Sequence, residues 1–162
     1  MRWCFTLKNP VELIEPSPNL AHAYIEKSKD SLEMAQLAIK ANKKDWAVTT
    51  MYYCQYMALY GLLQKIGIKS ENHTCSILIA ERLIPQVEKE DIKQIKEFKE
   101  ERIERQYYVA KSDIENLDIG LLNEKTKKFH YKFIELINTI TEKEINQVRK
   151  EIKVYIDSVM KY

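Results

Sequence analysis

Past residue 18 the chain has almost nothing that would end a helix. Pro10, Pro16 and Pro18 lie in the first 18 residues, and only Pro85 follows; the Gly are Gly61, Gly67 and Gly120. Gly and Pro are the strongest local punctuation of regular structure. A 162-residue chain with so few of them reads as long helices joined by short connections, and at this length as one core. Residues 1–18 are read as an irregular or briefly extended arm docked by Trp3 and Phe5, and residues 19–162 as the bundle domain.

Apolar spacing places the helices. Ala21, Ile25, Ser28, Leu32, Ala35 and Ile39 recur at helical intervals behind Asn19, a cap candidate after a Pro. A second helix follows Asp45, taken as its cap, and ends near Ile66 before Gly67. It carries Trp46, Met51, Tyr52, Tyr53, Cys54, Tyr56, Met57, Leu59, Tyr60, Leu62 and Leu63 around most of its circumference. A helix apolar on most sides is buried on most sides, so this one is central in a bundle or is also the face of a dimer. A third helix begins near Ser70–Asn72 and stops before Pro85. The fourth, "EKEDIKQIKEFKEERIER", aligns Ile92, Ile95, Phe98 and Arg102, and "KSDIENLD" follows as a loop. A fifth, about 119–139, carries Leu122, Phe129, Phe133, Leu136 and Ile140. Thr141 and Glu144 form a capping-box pattern before a sixth with Ile145, Val148, Ile152, Tyr155 and Val159. The fold class is therefore all-α, an antiparallel up-and-down helical bundle of four to six helices.

Composition narrows the function. Charged residues make up 31% of the chain, yet the formal net charge is only +2, which argues against a strongly basic nucleic-acid binder while leaving room for a local patch. Cys4, Cys54 and Cys75 contain no CxxC pair, and their odd number suits no closed disulfide framework; each is read as a small buried hydrophobe. With no leader-like or membrane-length apolar run, a cytoplasmic protein is expected. His73 and Cys75 are two residues apart at a helix start and point to different faces, so neither a metal site nor a Cys–His nucleophile is read there. No cofactor motif occurs, and the helix-four carboxylates alternate with Lys as solvated pairs.

"ERIERQYYVAK" stands apart. Arg102 shares an apolar stripe, and a guanidinium placed there needs a carboxylate, carbonyl or phosphate partner. Arg105, Gln106, Tyr107 and Tyr108 add a second cation, an amide and two rings at the helix end. Cations that hold phosphate beside rings that stack on bases are the chemistry of nucleotide recognition; the bland alternative is a buried Arg that ties the bundle together. Arg102 is expected to be the more structural of the two arginines, and Arg105 the freer one.

In "TTMYYCQYMALYGLLQKIGIKSENH" Tyr52-Tyr53 stands one helical turn before Tyr56 and ten residues before Leu62-Leu63, and His73 opens the next helix; "RIERQYY" follows about thirty residues on. Over roughly residues 19–160 this pattern resembles the HEPN domain (higher eukaryotes and prokaryotes nucleotide-binding), in its prokaryotic stand-alone form. The resemblance implies a homodimeric bundle, often paired with a minimal nucleotidyltransferase in toxin–antitoxin or related defence systems. Catalytic members are metal-independent RNases that use an Arg, four to six residues and then a His. Here His22, His73 and His130 all lack such an Arg; the nearest lookalike is Lys125 before His130, without the guanidinium fork. The expectation is an accessory protein that binds a nucleotide or single-stranded RNA, with His73, Arg102, Arg105, Gln106 and Tyr107 as candidate contacts and no catalytic or metal-binding residue. The alternatives are a toxin-type RNase with a divergent site and a non-catalytic homodimeric scaffold.

Overall fold

The computed structural model describes residues 1–107 and 117–160, apart from the side chains of Tyr107 and Met160. Most of the expected "KSDIENLD" loop, and Tyr108, lie outside the described residues. The described part is an all-α bundle: α1 (Pro18–Lys40), α2 (Lys44–Ile66), α3 (His73–Leu83), α4 (Lys89–Tyr107), α5 (Ile119–Thr139) and α6 (Glu142–Met160).

Local chemistry sets the helix ends. The α1 cap is Ser17 rather than Asn19: its hydroxyl accepts from the Leu20 N–H at 3.2 Å. Pro18 takes the first helical position, where a fixed φ is already helical and the missing N–H is not needed. Asp45 stands in the first turn of α2 rather than at its cap, where its charge suits the helix dipole. Gly67 closes α2 at φ +82°, a conformation that favours glycine. Asn72 caps α3 by accepting from the Cys75 N–H at 3.1 Å. The capping box forms at α6, with Thr141 N–H donating to Glu144 Oε2 at 2.8 Å and Glu144 N–H to Thr141 Oγ1 at 3.3 Å.

As its composition requires, α2 is central. Met51, Tyr52, Cys54, Leu59, Leu62, Leu63 and Ile66 are buried, with α1, α3, α4 and α5 packed around them. Most of its apolar circumference is thus covered within one chain, with Tyr53 and Met57 left partly exposed. Trp46 departs from the reading: it is 62% exposed at the start of the helix. A seam of buried polar groups crosses the bundle. Gln55 Nε2 donates to Thr126 Oγ1 at 3.2 Å, and Gln94 Nε2 to Gln55 Oε1 at 3.1 Å, so α2, α4 and α5 are held in one register.

The arm is more structured than expected. It contains a short 3-10 helix (Arg2–Phe5) and a strand β1 (Glu12–Leu13), paired antiparallel with β2 (Ile68–Lys69). Phe5 is buried and stacks on Tyr155, whereas Trp3 remains 44% exposed. The cysteine reading needs correction. Cys4 and Cys75 form a disulfide across a separation of 71 residues, and only Cys54 stays as a buried thiol. An odd count excludes a fully paired set, not a single pair. Arg149 was also missed as a structural residue: its guanidinium donates to the carbonyls of Ile14, Ile66 and Gly67 at 2.7, 3.0 and 3.0 Å, joining α6 to the end of α2 and to the arm.

Candidate functional site

Ring and cationic side chains converge where α2, α3 and α4 meet. Tyr52, Tyr53 and Tyr56 lie on about one turn of α2, so their rings share one side of the helix. His73, the first residue of α3, stacks on Tyr56 with ring centroids 3.6 Å apart and planes 17° apart. Its Nδ1 is 2.6 Å from Tyr52 Oη. From α4, the Arg102 guanidinium lies over the rings of Tyr52 and Tyr53, 5.5 and 5.4 Å from their centroids, within the range of cation–π attraction. Arg102 Nε also donates to Gln106 Oε1 at 3.2 Å. One turn earlier, Lys99 Nζ donates to Thr74 Oγ1 at 2.5 Å. Tyr52 and Tyr56 are buried, whereas Tyr53, His73, Lys99 and Arg102 are partly exposed and Thr74 and Gln106 exposed.

The electrostatics follow from this packing. Burial, with Arg102 and Lys99 adding to it, lowers the His73 pKa to about 4, so the imidazole is neutral at pH 7. Lys99 is lowered by burial and then by Arg102. Burial raises the phenols of Tyr52 and Tyr56, which stay protonated as hydrogen-bonding groups. The patch therefore offers neutral ring surface bordered by two cations.

The placement of the two arginines differs from that expected of them: the one expected to be freer is the more enclosed. Arg102 lies over the rings, partly exposed. Arg105 is the enclosed one: its side chain is 7% exposed, 3.4 Å from Glu101 Oε2 and 4.0 Å from Asp45 Oδ1. Arg105, one turn beyond Arg102 on α4, lies beside Asp45 in the first turn of α2. The structure thus brings together His73, Arg102 and Gln106; the Tyr107 side chain lies outside the described residues. Sequence reasoning passed over Lys99 and the α2 tyrosines as ligand candidates. Tyr52-Tyr53-x-x-Tyr56 was read as core, and the signal that could have found them is its surplus of hydroxyls on a helix otherwise built for burial.

The Ser28–His130 pair is enclosed. Ser28 Oγ donates to the Cys54 carbonyl at 2.7 Å, which uses its only hydrogen, and so accepts from His130 Nδ1 at 2.7 Å. This Ser–His pair is therefore oriented against hydroxyl activation, and both residues are buried. Cys54 beside it is pushed up to about 12 by burial. Among the described residues no group of three or more His, Cys, Asp or Glu is placed to hold a metal ion. No described helix is long and apolar enough to cross a membrane.

The described helices thus form an all-α bundle with an Arg–His–Tyr patch where α2, α3 and α4 meet. The model of the HEPN domain matches residues 21–142, and the chain belongs to that family. No curated protein matches it.

Proposed function

We propose that this protein binds a nucleotide or an unpaired RNA segment at the patch formed by His73, Tyr53, Lys99, Arg102 and Gln106. The observation that carries the reading is the Arg102 guanidinium over two tyrosine rings, with Lys99 one turn away. Cations on a ring platform match a ligand that carries phosphate beside a planar base. Arg105, also a sequence candidate, is assigned to holding α4 against α2, because its enclosed side chain faces Asp45 and Glu101. Membership of the family supports a nucleotide- or RNA-related role. The finer assignment, a homodimeric accessory protein acting with a minimal nucleotidyltransferase in a toxin–antitoxin or related system, rests on the resemblance alone.

An RNase reading has one observation in its favour: His73 comes close enough to Arg102 to feel its charge, a pairing in space of the residue types that catalytic relatives hold at fixed sequence spacing. Its protonation state counts against it. Burial, with Arg102 and Lys99 adding to it, lowers its pKa to about 4, so the imidazole is neutral at pH 7 and a poor proton donor. Binding without cleavage is the expected result.

Filter binding with ATP and with a short single-stranded RNA tests the reading. Arg102→Ala should weaken saturable binding by about 1–3 kcal/mol, while stability falls by about 1 kcal/mol through the lost ring contacts. Equal binding by wild type and variant would remove the patch from consideration. Cleavage of the RNA above an inactive control would favour the RNase.

A further inference from the structure

The first turn of α3 has a front and a back. His73 and Thr74 look toward α2 and α4: His73 stacks on Tyr56, and Thr74 accepts from Lys99. Cys75 lies two residues past His73, about 200° around the helix, and its side chain joins Cys4 of the arm. The turn that supplies the candidate site is thus bolted from behind to the 3-10 helix Arg2–Phe5. That segment is itself anchored on α6, through the Phe5–Tyr155 stack and an Arg2 hydrogen bond to the Ser158 carbonyl at 3.1 Å.

We propose that Cys4–Cys75 is a thiol-controlled latch on this site. Oxidised, it fixes the first turn of α3 where His73 and Thr74 meet the α2 rings and Lys99. Reduced, it frees the turn from the arm, and affinity for the ligand falls. The location of the ligand rests on the function proposed above; the redox behaviour of the turn does not.

The chemistry needs a dithiol reductant. A thiolate of the reductant attacks one cysteine sulfur, forms a mixed disulfide and expels the other cysteine as thiolate. The reductant's second thiol then displaces the first cysteine. Two electrons and two protons pass to Cys4 and Cys75, and the reductant leaves as its own disulfide. Two thiols cannot sit as close as a bonded pair, and both cysteines are wholly buried, so reduction must shift either the arm or the α3 turn. The arm is the element that can open. It is short and carries a Trp3 that is 44% exposed, so its lifting supplies the path for the reductant. Within reducing compartments disulfides are mostly redox-sensing, with intracellular proteins of hyperthermophiles as the exception. The proposal places this bond in the first group.

The test uses the full chain in dithiothreitol buffers of stepped oxidised-to-reduced ratio. Alkylation after acid quench, read by intact mass, reports the bond. Hydrogen exchange over residues 72–76 reports the turn, and binding of a short single-stranded RNA reports the site. In the oxidised protein only Cys54 should alkylate, and in the reduced protein all three cysteines. On reduction, exchange at 72–76 should rise and RNA affinity should fall about fivefold or more, the usual range for coupled sites. Cys4→Ser should behave as the reduced form does, whatever the buffer. If that variant does not fold, the reduced wild type carries the same comparison. Three alkylated cysteines in every buffer would overturn the latch, as would a bond that forms and breaks with exchange and binding unchanged, the behaviour of a plain staple. If exchange responds but RNA binds neither form, the latch stands and the proposed ligand site fails.

Discussion

His73 and His130 each hold Nδ1 close to a hydroxyl, Tyr52 Oη at 2.6 Å and Ser28 Oγ at 2.7 Å. Burial lowers the basicity of both. The difference lies in what surrounds them. His130 is 3% exposed, and its partner Ser28 is already committed to a backbone carbonyl; the cluster joins α1, α2 and α5 and leads nowhere. His73 is partly exposed, stacks on a ring and adjoins two cations. A buried imidazole on a hydroxyl is thus no signature of function. The open edge and two cations acting in the same sense single out His73 as the candidate; the charges that reach His130, Glu26 and Lys29, oppose each other.

The comparison breaks first on stability. Of the two histidines, His130 should be the more damaging to replace by Ala. The change opens a cavity where three helices meet and leaves a buried hydroxyl without its donor, so a loss of about 2–4 kcal/mol is expected. His73→Ala removes a stacked ring at the surface and should lose about 1 kcal/mol, yet it should weaken RNA binding, which His130→Ala leaves intact in the folded fraction. Urea denaturation and filter binding on the same preparations read both axes. If the two variants behaved alike on both, the division between core and site would be wrong.

The bundle was legible because its signals are local. Breaker scarcity gave the helices, Gly67 and Asn72 gave two ends, and the all-round apolar content of α2 gave its central place. The site was half legible for the same reason. Arg102 on the apolar stripe of α4 pointed to the helix that lays a guanidinium over the α2 rings, but whether Arg102 or Arg105 would reach the rings depended on the rotation of α4 against α2, which no local pattern encodes. The Cys4–Cys75 pair and the three-carbonyl contact of Arg149 join segments far apart in sequence, so only the packed chain reveals them. The short β1–β2 pair was missed because two residues are too few for alternation to register.

Acid sharpens the comparison next. Both histidines bind protons less readily when folded than their ordinary value of 6.5, with His73 at about 4. Between those values the unfolded chain takes up more protons, so this contribution to stability is complete above about pH 6.5 and is lost as pH falls toward 4. His73→Gln should flatten the part of the wild-type decline that His73 supplies. Salt should flatten the smaller part of it that Arg102 and Lys99 supply, burial being the larger cause, because salt screens charges and leaves burial unchanged. The residual decline in the variant should respond less to salt where it reflects His130, which is enclosed. Thermal midpoints from pH 7.5 to 4, at low and high salt, check this. A variant that declines as steeply as wild type would mean that His73 is not held neutral by its neighbours.

The smallest effect expected concerns Lys99, which separates an electrostatic role at the patch from a structural one. Its ammonium donates to an exposed Thr74, a contact worth little to the fold, so Lys99→Ala should shift stability by no more than about 0.5 kcal/mol. If a phosphate of the bound RNA rests on it, the variant should bind more weakly at low salt. The slope of log affinity against log salt should become shallower by about 0.7, the value for one phosphate contact on a single strand. Thr74→Ala should leave that slope unchanged, because it removes the acceptor and keeps the charge. Equal slopes for Lys99→Ala and wild type would confine the phosphate to Arg102, and the ring platform would then carry most of whatever affinity the patch has.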